Sequence, residues 1–157
     1  MEIAIRNVTI EDYDQIYELW NSTEQSRRAL NPVDDSRDGI DIYIRRNPAT
    51  SFVALDNGKI VGVIMAGHDG RRGFIHHTAV LPAYRGQGIA TRLVECTLDA
   101  LRNEGIKKVA LLTFRKNELG NDFWEARGFK VRNDLLYRNK EIAEIEYLPN
   151  IYKDENN

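Results

Sequence analysis

The sequence predicts an α/β fold of the α+β kind: a mixed, mostly antiparallel central sheet with helices on both faces. Three observations predict it. Three strand-like runs follow one another through short turns between Ser51 and Val80, the order of an antiparallel meander. A strand, an amphipathic helix and a strand then run from Phe74 to Phe114, and such a crossover makes its two strands parallel neighbours. Helical patterns both precede the meander and follow the crossover, so both sheet faces have cover.

Each element has its own signal. Ile3 and Ile5, with Val8 beyond them, alternate with polar residues as in a first strand. Thr9 and Asp12 form a helix start, and residues 12–20 carry Tyr13, Ile16, Tyr17, Leu19 and Trp20. The polar stretch 21–32 reads as a loop. Asp34, Asp35 and Ser36 open a second helix presenting Ile40, Tyr43 and Ile44. Asn47-Pro48 stops it, because the residue before proline avoids the helical region. Residues 51–55 form a strand, Asp56-Asn57-Gly58 a hairpin turn, and residues 59–66 the returning strand. Residues 67–73 turn the chain into a strand over 74–80, which Leu81-Pro82 ends. A long helix spans 91–103, with Ala90, Leu93, Val94, Thr97, Leu98 and Leu101 on one face and Gly105 as its C-cap. A strand over 108–114 follows. Asn117 caps a short helix through Phe123, Trp124 and Ala126, which Gly128 terminates. Residues 129–131 and 135–137 read as a closing pair of strands. The tail from Glu141 is either a further strand or a surface for a partner, with frayed last residues.

The 157 residues suit one domain over 1–157, and no repeat or linker interrupts them. A net charge of −2 gives no pull toward nucleic acid or anionic membranes. No apolar run approaches the roughly 18 residues that span a bilayer, and the charged, alternating start is no signal peptide. Cys96 is the only cysteine, so there is no internal disulfide and no cysteine-based metal cluster. No metal is expected, and a cytoplasmic location is the default expectation. Cys96 reads as packing on its helix, and Arg71-Arg72 as solvation of a turn.

The chemistry concentrates in Arg85-Gly86-Gln87-Gly88-Ile89-Ala90, between an apolar strand and the longest helix. The first amides of a helix lack carbonyl partners and lie at the positive end of its dipole. Gly86 and Gly88 let an anion approach the backbone, and Arg85 adds a fixed charge. A P-loop is excluded because no Gly-x-x-x-x-Gly-Lys-Ser/Thr string exists. A dinucleotide fingerprint is disfavoured by Thr91 at the third glycine position and by the absence of an acid near residues 106–110.

Arg85-x-x-Gly88-x-Ala90 resembles the Gln/Arg-x-x-Gly-x-Gly/Ala motif of the GNAT superfamily of acyl-CoA N-acyltransferases. The surrounding HHTAVLPAYRGQGIATRLVE agrees in its strand, Pro, aromatic, Arg-Gly and helix order. NELGNDFWEARGF resembles the superfamily's second motif, Asn-x-x-Ala-x-x-Phe-Tyr-x-x-x-Gly-Phe. The resemblance covers nearly the whole chain. It implies a sheet whose parallel strands splay apart at a coenzyme cleft. It implies that the amides of Gly86, Gln87, Gly88, Ile89, Ala90 and Thr91, with Arg85, hold the diphosphate of acetyl-CoA. It implies that Thr78, Ala79 and Val80 bind the pantetheine arm as a missing strand would, and that Asn117 and Trp124 border the coenzyme. Asn117 is equally a simple helix cap.

The implied reaction is acetyl transfer from acetyl-CoA to a primary amine by direct attack in a ternary complex. An amide near Val80 is the implied oxyanion donor. The superfamily's usual tyrosine acid is replaced by Trp124, whose indole donates a hydrogen bond but no proton near neutral pH. Tyr84, Tyr137, water or no acid at all are the alternatives. His76 is the candidate base, with a packing histidine as the other reading. On an unbulged strand His76 shares a face with Thr78 and Val80, and His77 points away as a packing residue. The amine is a small molecule or a protein amine. Asp34, Asp35 and Asp38 either attract a cationic acceptor or merely suit a helix start. Rival readings are a catalytically weak acyl-CoA sensor and a nucleotide-binding protein. A homodimer is a possible partner state.

Overall fold

The fold is that of a computed structural model, which describes residues 2–31 and 33–145. Five strands form one sheet: β1 (Ile3–Asn7), β2 (Phe52–Asp56), β3 (Lys59–His68), β4 (Gly73–Val80) and β5 (Val109–Leu111), in that spatial order. β1 to β4 pair antiparallel, and β5 pairs parallel with β4. The β2–β3 turn follows from its sequence, since Asn57 and Gly58 take φ of 48° and 80°, the left-handed pair that suits the strand twist.

Helices cover both faces. On one face α1 (Tyr13–Trp20) and α3 (Arg37–Arg46) bury Ile16, Leu19, Trp20 and Ile40 against Val53, Ile60, Val63 and Met65. On the other, α4 (Ile89–Asn103) and α5 (Glu118–Ala126) bury Ile89, Leu93, Val94 and Trp124 against Ala54, Val61, Ile64 and Ile75. β3 is buried from Ile60 to Gly67, as a strand covered on both sides must be. No helix among the described residues is long and apolar enough to cross a membrane.

Three expectations are corrected. The stretch 21–32 contains a short helix, α2 (Glu24–Arg28). Thr23 caps it by accepting the Ser26 amide at 3.2 Å, and Arg28 reaches Glu24 at 2.6 Å, local bonds that offset a lack of apolar anchors. β5 is three residues long rather than seven, because its ladder with β4 stops at Ile75–Leu111. Residues 129–131 and 135–137 flank a turn at 133–134 but join no ladder. Their strand-forming side chains meet no partner edge within the described chain. The tail expectation from 146 onward lies outside the described residues.

The N-terminal entry is pinned by charge. Arg6 donates to both carboxylate oxygens of buried Asp12 at 2.7 and 2.8 Å, and the Thr9 amide donates to the same carboxylate at 2.9 Å. Burial alone would raise the Asp12 pKa. The donors outweigh it and hold Asp12 below the usual carboxylate value.

Candidate active site

The glycine-rich turn delivers the chain into α4 with no side-chain cap. Gly86 and Gly88 take φ of 76° and 78°, where any side chain would be strained, and nothing lies within 4 Å of where a Cβ would sit. The first intrahelical acceptor is the Gly88 carbonyl, bonded by the Arg92 amide at 3.1 Å. The amides of Ile89, Ala90 and Thr91 precede that bond, so they have no carbonyl partner within the helix. Arg85 is exposed on the same turn.

This helix end faces a fork in the sheet. β4 and β5 pair only at Gly73–Val109, Phe74–Ala110 and Ile75–Leu111. From His76 to Val80, β4 has no neighbour on that side among the described residues. The Leu81 amide bonds Val61 on β3 at 2.9 Å, so alternation aims the N–H and C=O of Val80 at the open side. Nearby, the Thr78 hydroxyl is buried with no hydrogen-bond partner among the described residues. The unpaired edge of β4 leads along the chain to the bare start of α4.

A bulge corrects the expectation for the two histidines. Val63 pairs with Ala79 and Met65 with His76, so β4 carries one extra residue there. His77 takes it up at φ 35°, in the left-handed region. His76 therefore shares the face of Met65 and Ala79 rather than that of Thr78 and Val80, and both imidazoles lie on the α1–α3 side, 6.4 Å apart. His77 is locked: its Nε2 donates to the Asp35 carboxylate at 2.8 Å, and its ring lies 4.9 Å from Trp20. Asp35 also accepts the Asn31 amide at 2.6 Å, and Tyr13 donates to its carbonyl at 2.7 Å. The buried Asp35 is thus a brace for the bulge and not a surface charge for a ligand.

His76 stays accessible. Its ring meets Tyr43 edge-on at 5.8 Å and Phe74 at 4.7 Å, beside a groove of about 310 Å³ that Tyr43, Arg46, Asn47 and Phe74 help to line. Crowding by protein is the chief cause that lowers its pKa, the His77 charge adds to it, and Asp35 partly opposes both. A pKa lowered from 6.5 favours the neutral imidazole at pH 7.

The acetyltransferase (GNAT) family matches residues 13–129, most of the chain. The chain belongs to this family. N-alpha-acetyltransferase 30 of Schizosaccharomyces pombe (strain 972 / ATCC 24843) is 39% identical over 101 residues, 61% of this chain and 67% of the relative. An acetyltransferase of Yersinia pestis (strain Pestoides F) is 27% identical over 92% of this chain and 100% of its own. Among solved structures, the PaiA N-acetyltransferase of Thermoplasma acidophilum, in complex with coenzyme A, shares the fold with a TM-score of 0.74. It is 20% identical and covers 84% of this chain and 92% of its own.

The structure of this GNAT acyltransferase sorts the residues singled out in its sequence. Residues 85–91 and 78–80 border the fork and the bare helix start. Asn117 is a cap, its side chain accepting the Gly120 amide at 3.0 Å. Trp124 is 8% exposed and packs edge-to-face on Phe123 and Phe129, a core residue. Tyr84 donates to Asp56 at 2.7 Å, and this bond chiefly raises its pKa, which makes it a poorer acid. Tyr137 is 68% exposed in the closing segment. One residue escaped the sequence reading: Arg127, whose guanidinium lies 3.6 Å over the Phe123 ring and bonds the Thr91 hydroxyl. It places a cation at the first turn of α4. No local pattern announces it, since Arg127 and Thr91 are 36 residues apart.

Proposed function

We propose that this enzyme transfers an acetyl group from acetyl-CoA to the free α-amine of a peptide or protein. The observation that carries the reading is the fork: the β4–β5 ladder stops at Ile75–Leu111, and the open edge of Val80 leads to the uncapped start of α4. The acetyl-CoA diphosphate would sit on the amides of residues 86–91, with Arg85 and Arg127 beside it. Its pantetheine arm would hydrogen-bond the open edge at Val80. Room for the diphosphate is supported by the empty space above Gly86 and Gly88. The choice of an α-amine is supported by the similarity to N-alpha-acetyltransferase 30.

Direct transfer follows from the groups at hand. The neutral amine attacks the thioester carbonyl, forming the C–N bond. The Val80 N–H receives the developing oxyanion. Collapse breaks the C–S bond, and the thiolate leaves with the electron pair. With a pKa of roughly 8.5 it departs without a dedicated acid and takes a proton from water. His76, directly or through a water, accepts the proton lost by the amine. Neither Tyr84 nor Tyr137 has a part in this scheme.

The test is thiol release from acetyl-CoA with peptides bearing free or blocked α-amines, with Nε-amines, and with small amines. Release with free α-amine peptides alone is expected. Release only with small amines would move the acceptor class. Tight acetyl-CoA binding without release from any amine would favour an acyl-CoA sensor.

A further inference from the structure

We infer, resting on the α-amine reading above, that the groove beside His76 takes an acidic side chain near the start of the acceptor peptide, with Arg46 and Arg72 binding its carboxylate. The groove of about 310 Å³ lies between the end of α3 and the β3–β4 turn. Its floor is Gly67, where no side chain fits. A Cβ there would meet the Asn47 side chain at 2.6 Å and the Tyr43 hydroxyl at 2.7 Å. Asn47 is fixed in turn, its Oδ1 accepting the His68 amide at 3.0 Å. Tyr43 and Phe74 supply aromatic walls, and His76 lies at the end nearest the fork.

The charges in this groove do not cancel. Arg46, on the last turn of α3, and Arg72, just before β4, are both exposed. Neither guanidinium meets a carboxylate among the described residues, whereas their chain neighbours do. Arg45 bonds Asp41 at 2.7 Å, and Arg71 reaches Asp69 at 3.6 Å. Asp69 is the one carboxylate that lines the groove, and it is engaged. It accepts the amides of Arg71 and Arg72 at 3.0 and 2.9 Å. Two unpaired forks of donors suit a carboxylate, which a guanidinium holds through parallel bonds, and they repel a cation.

Distance excludes the acetyl-CoA diphosphate as the anion. His68, which lines the groove, faces Glu104 at the far end of α4 from the glycine-rich turn, at 3.5 Å. The 15 residues of α4 put roughly 22 Å between its two ends. An acceptor peptide is within reach. From His76 back to Arg72 the chain runs four residues, roughly 13 Å when extended. An extended peptide with its α-amine at His76 covers that span with about four residues. The acidic side chain therefore belongs to its second, third or fourth residue.

The test measures kcat and KM on C-terminally amidated peptides with a free α-amine, carrying Asp, Asn or Lys at the second, third or fourth residue. Asp is expected to be favoured over Asn about tenfold at one of these positions, through KM and not kcat. Arg46→Ala and Arg72→Ala are each expected to shrink that preference, and Arg46→Glu with Arg72→Glu to turn it toward Lys. An unchanged thermal melt and an unchanged Kd for acetyl-CoA check that these exposed substitutions leave the fold intact. Acetylation of the α-amine with no preference for Asp, or with one that both alanine variants keep, would overturn the acidic subsite and leave the α-amine acceptor standing. A preference for a free C-terminal carboxylate in place of Asp would overturn it too. Acetylation of small amines alone would remove both.

Discussion

A single extra residue in β4 decides what each histidine can do. Without the bulge at His77, the two imidazoles would lie on opposite faces. With it, His77 is spent on Asp35 and Trp20, and His76 is left accessible and neutral. A base must be unprotonated to work. Because His76 titrates below the ordinary value of 6.5, activity should hold down to a pH under 6.5 and fall only as pH drops through that lower value. His76→Gln is expected to lower kcat/KM about 100-fold and to abolish this acid limb, read from a pH–rate profile. Asp12 gives a stability counterpart. Its folded pKa lies below the unfolded value of 3.8, so its contribution is present above that value and is lost as pH falls. Asp12→Asn should cost about 2 kcal/mol at neutral pH in urea unfolding, and the gap to wild type should narrow below about pH 4.

At the scale of elements, α4 combines a structural and a chemical task. Its inner face, Ile89, Leu93, Val94 and Leu101, was legible from helical spacing. Its start was legible from the glycines, because only a left-handed turn needs them there. Gly88→Ala puts a methyl at φ 78° in the space above the turn. About 1 kcal/mol of stability should be lost, while the Kd for acetyl-CoA rises at least tenfold. Calorimetric titration beside a thermal melt separates the two effects. In α5 the expectation reverses. Trp124 is packed between Phe123 and Phe129, so Trp124→Ala should destabilise by about 3–5 kcal/mol, whereas Trp124→Phe should keep most of the activity. The motif position of Trp124 gave no hint of burial, which depends on α5 lying against β4 and α4. The bulge, the Arg127–Thr91 contact and the Asp35–His77 brace were illegible for the same reason. Each joins residues far apart in sequence, where no local period leaves a trace.

The whole molecule is a sheet made asymmetric. Three antiparallel pairings join β1 to β4, and a three-residue parallel pairing leaves β4 open beyond Ile75 among the described residues. The antiparallel meander was readable because short turns force neighbouring strands together. The fork was readable only through the family resemblance, since the divergence of β4 from β5 is a tertiary property. The closing strands were misread because composition reports what a segment can pair with and not whether an edge is present. Calorimetric titration with acetyl-CoA tests the central claim, that the bare start of α4 and the open edge of β4 hold one thioester. One site per chain is expected, weakened at least tenfold by Arg127→Ala as well as by Gly88→Ala. Absence of heat with acetyl-CoA, or binding that neither substitution alters, would contradict it.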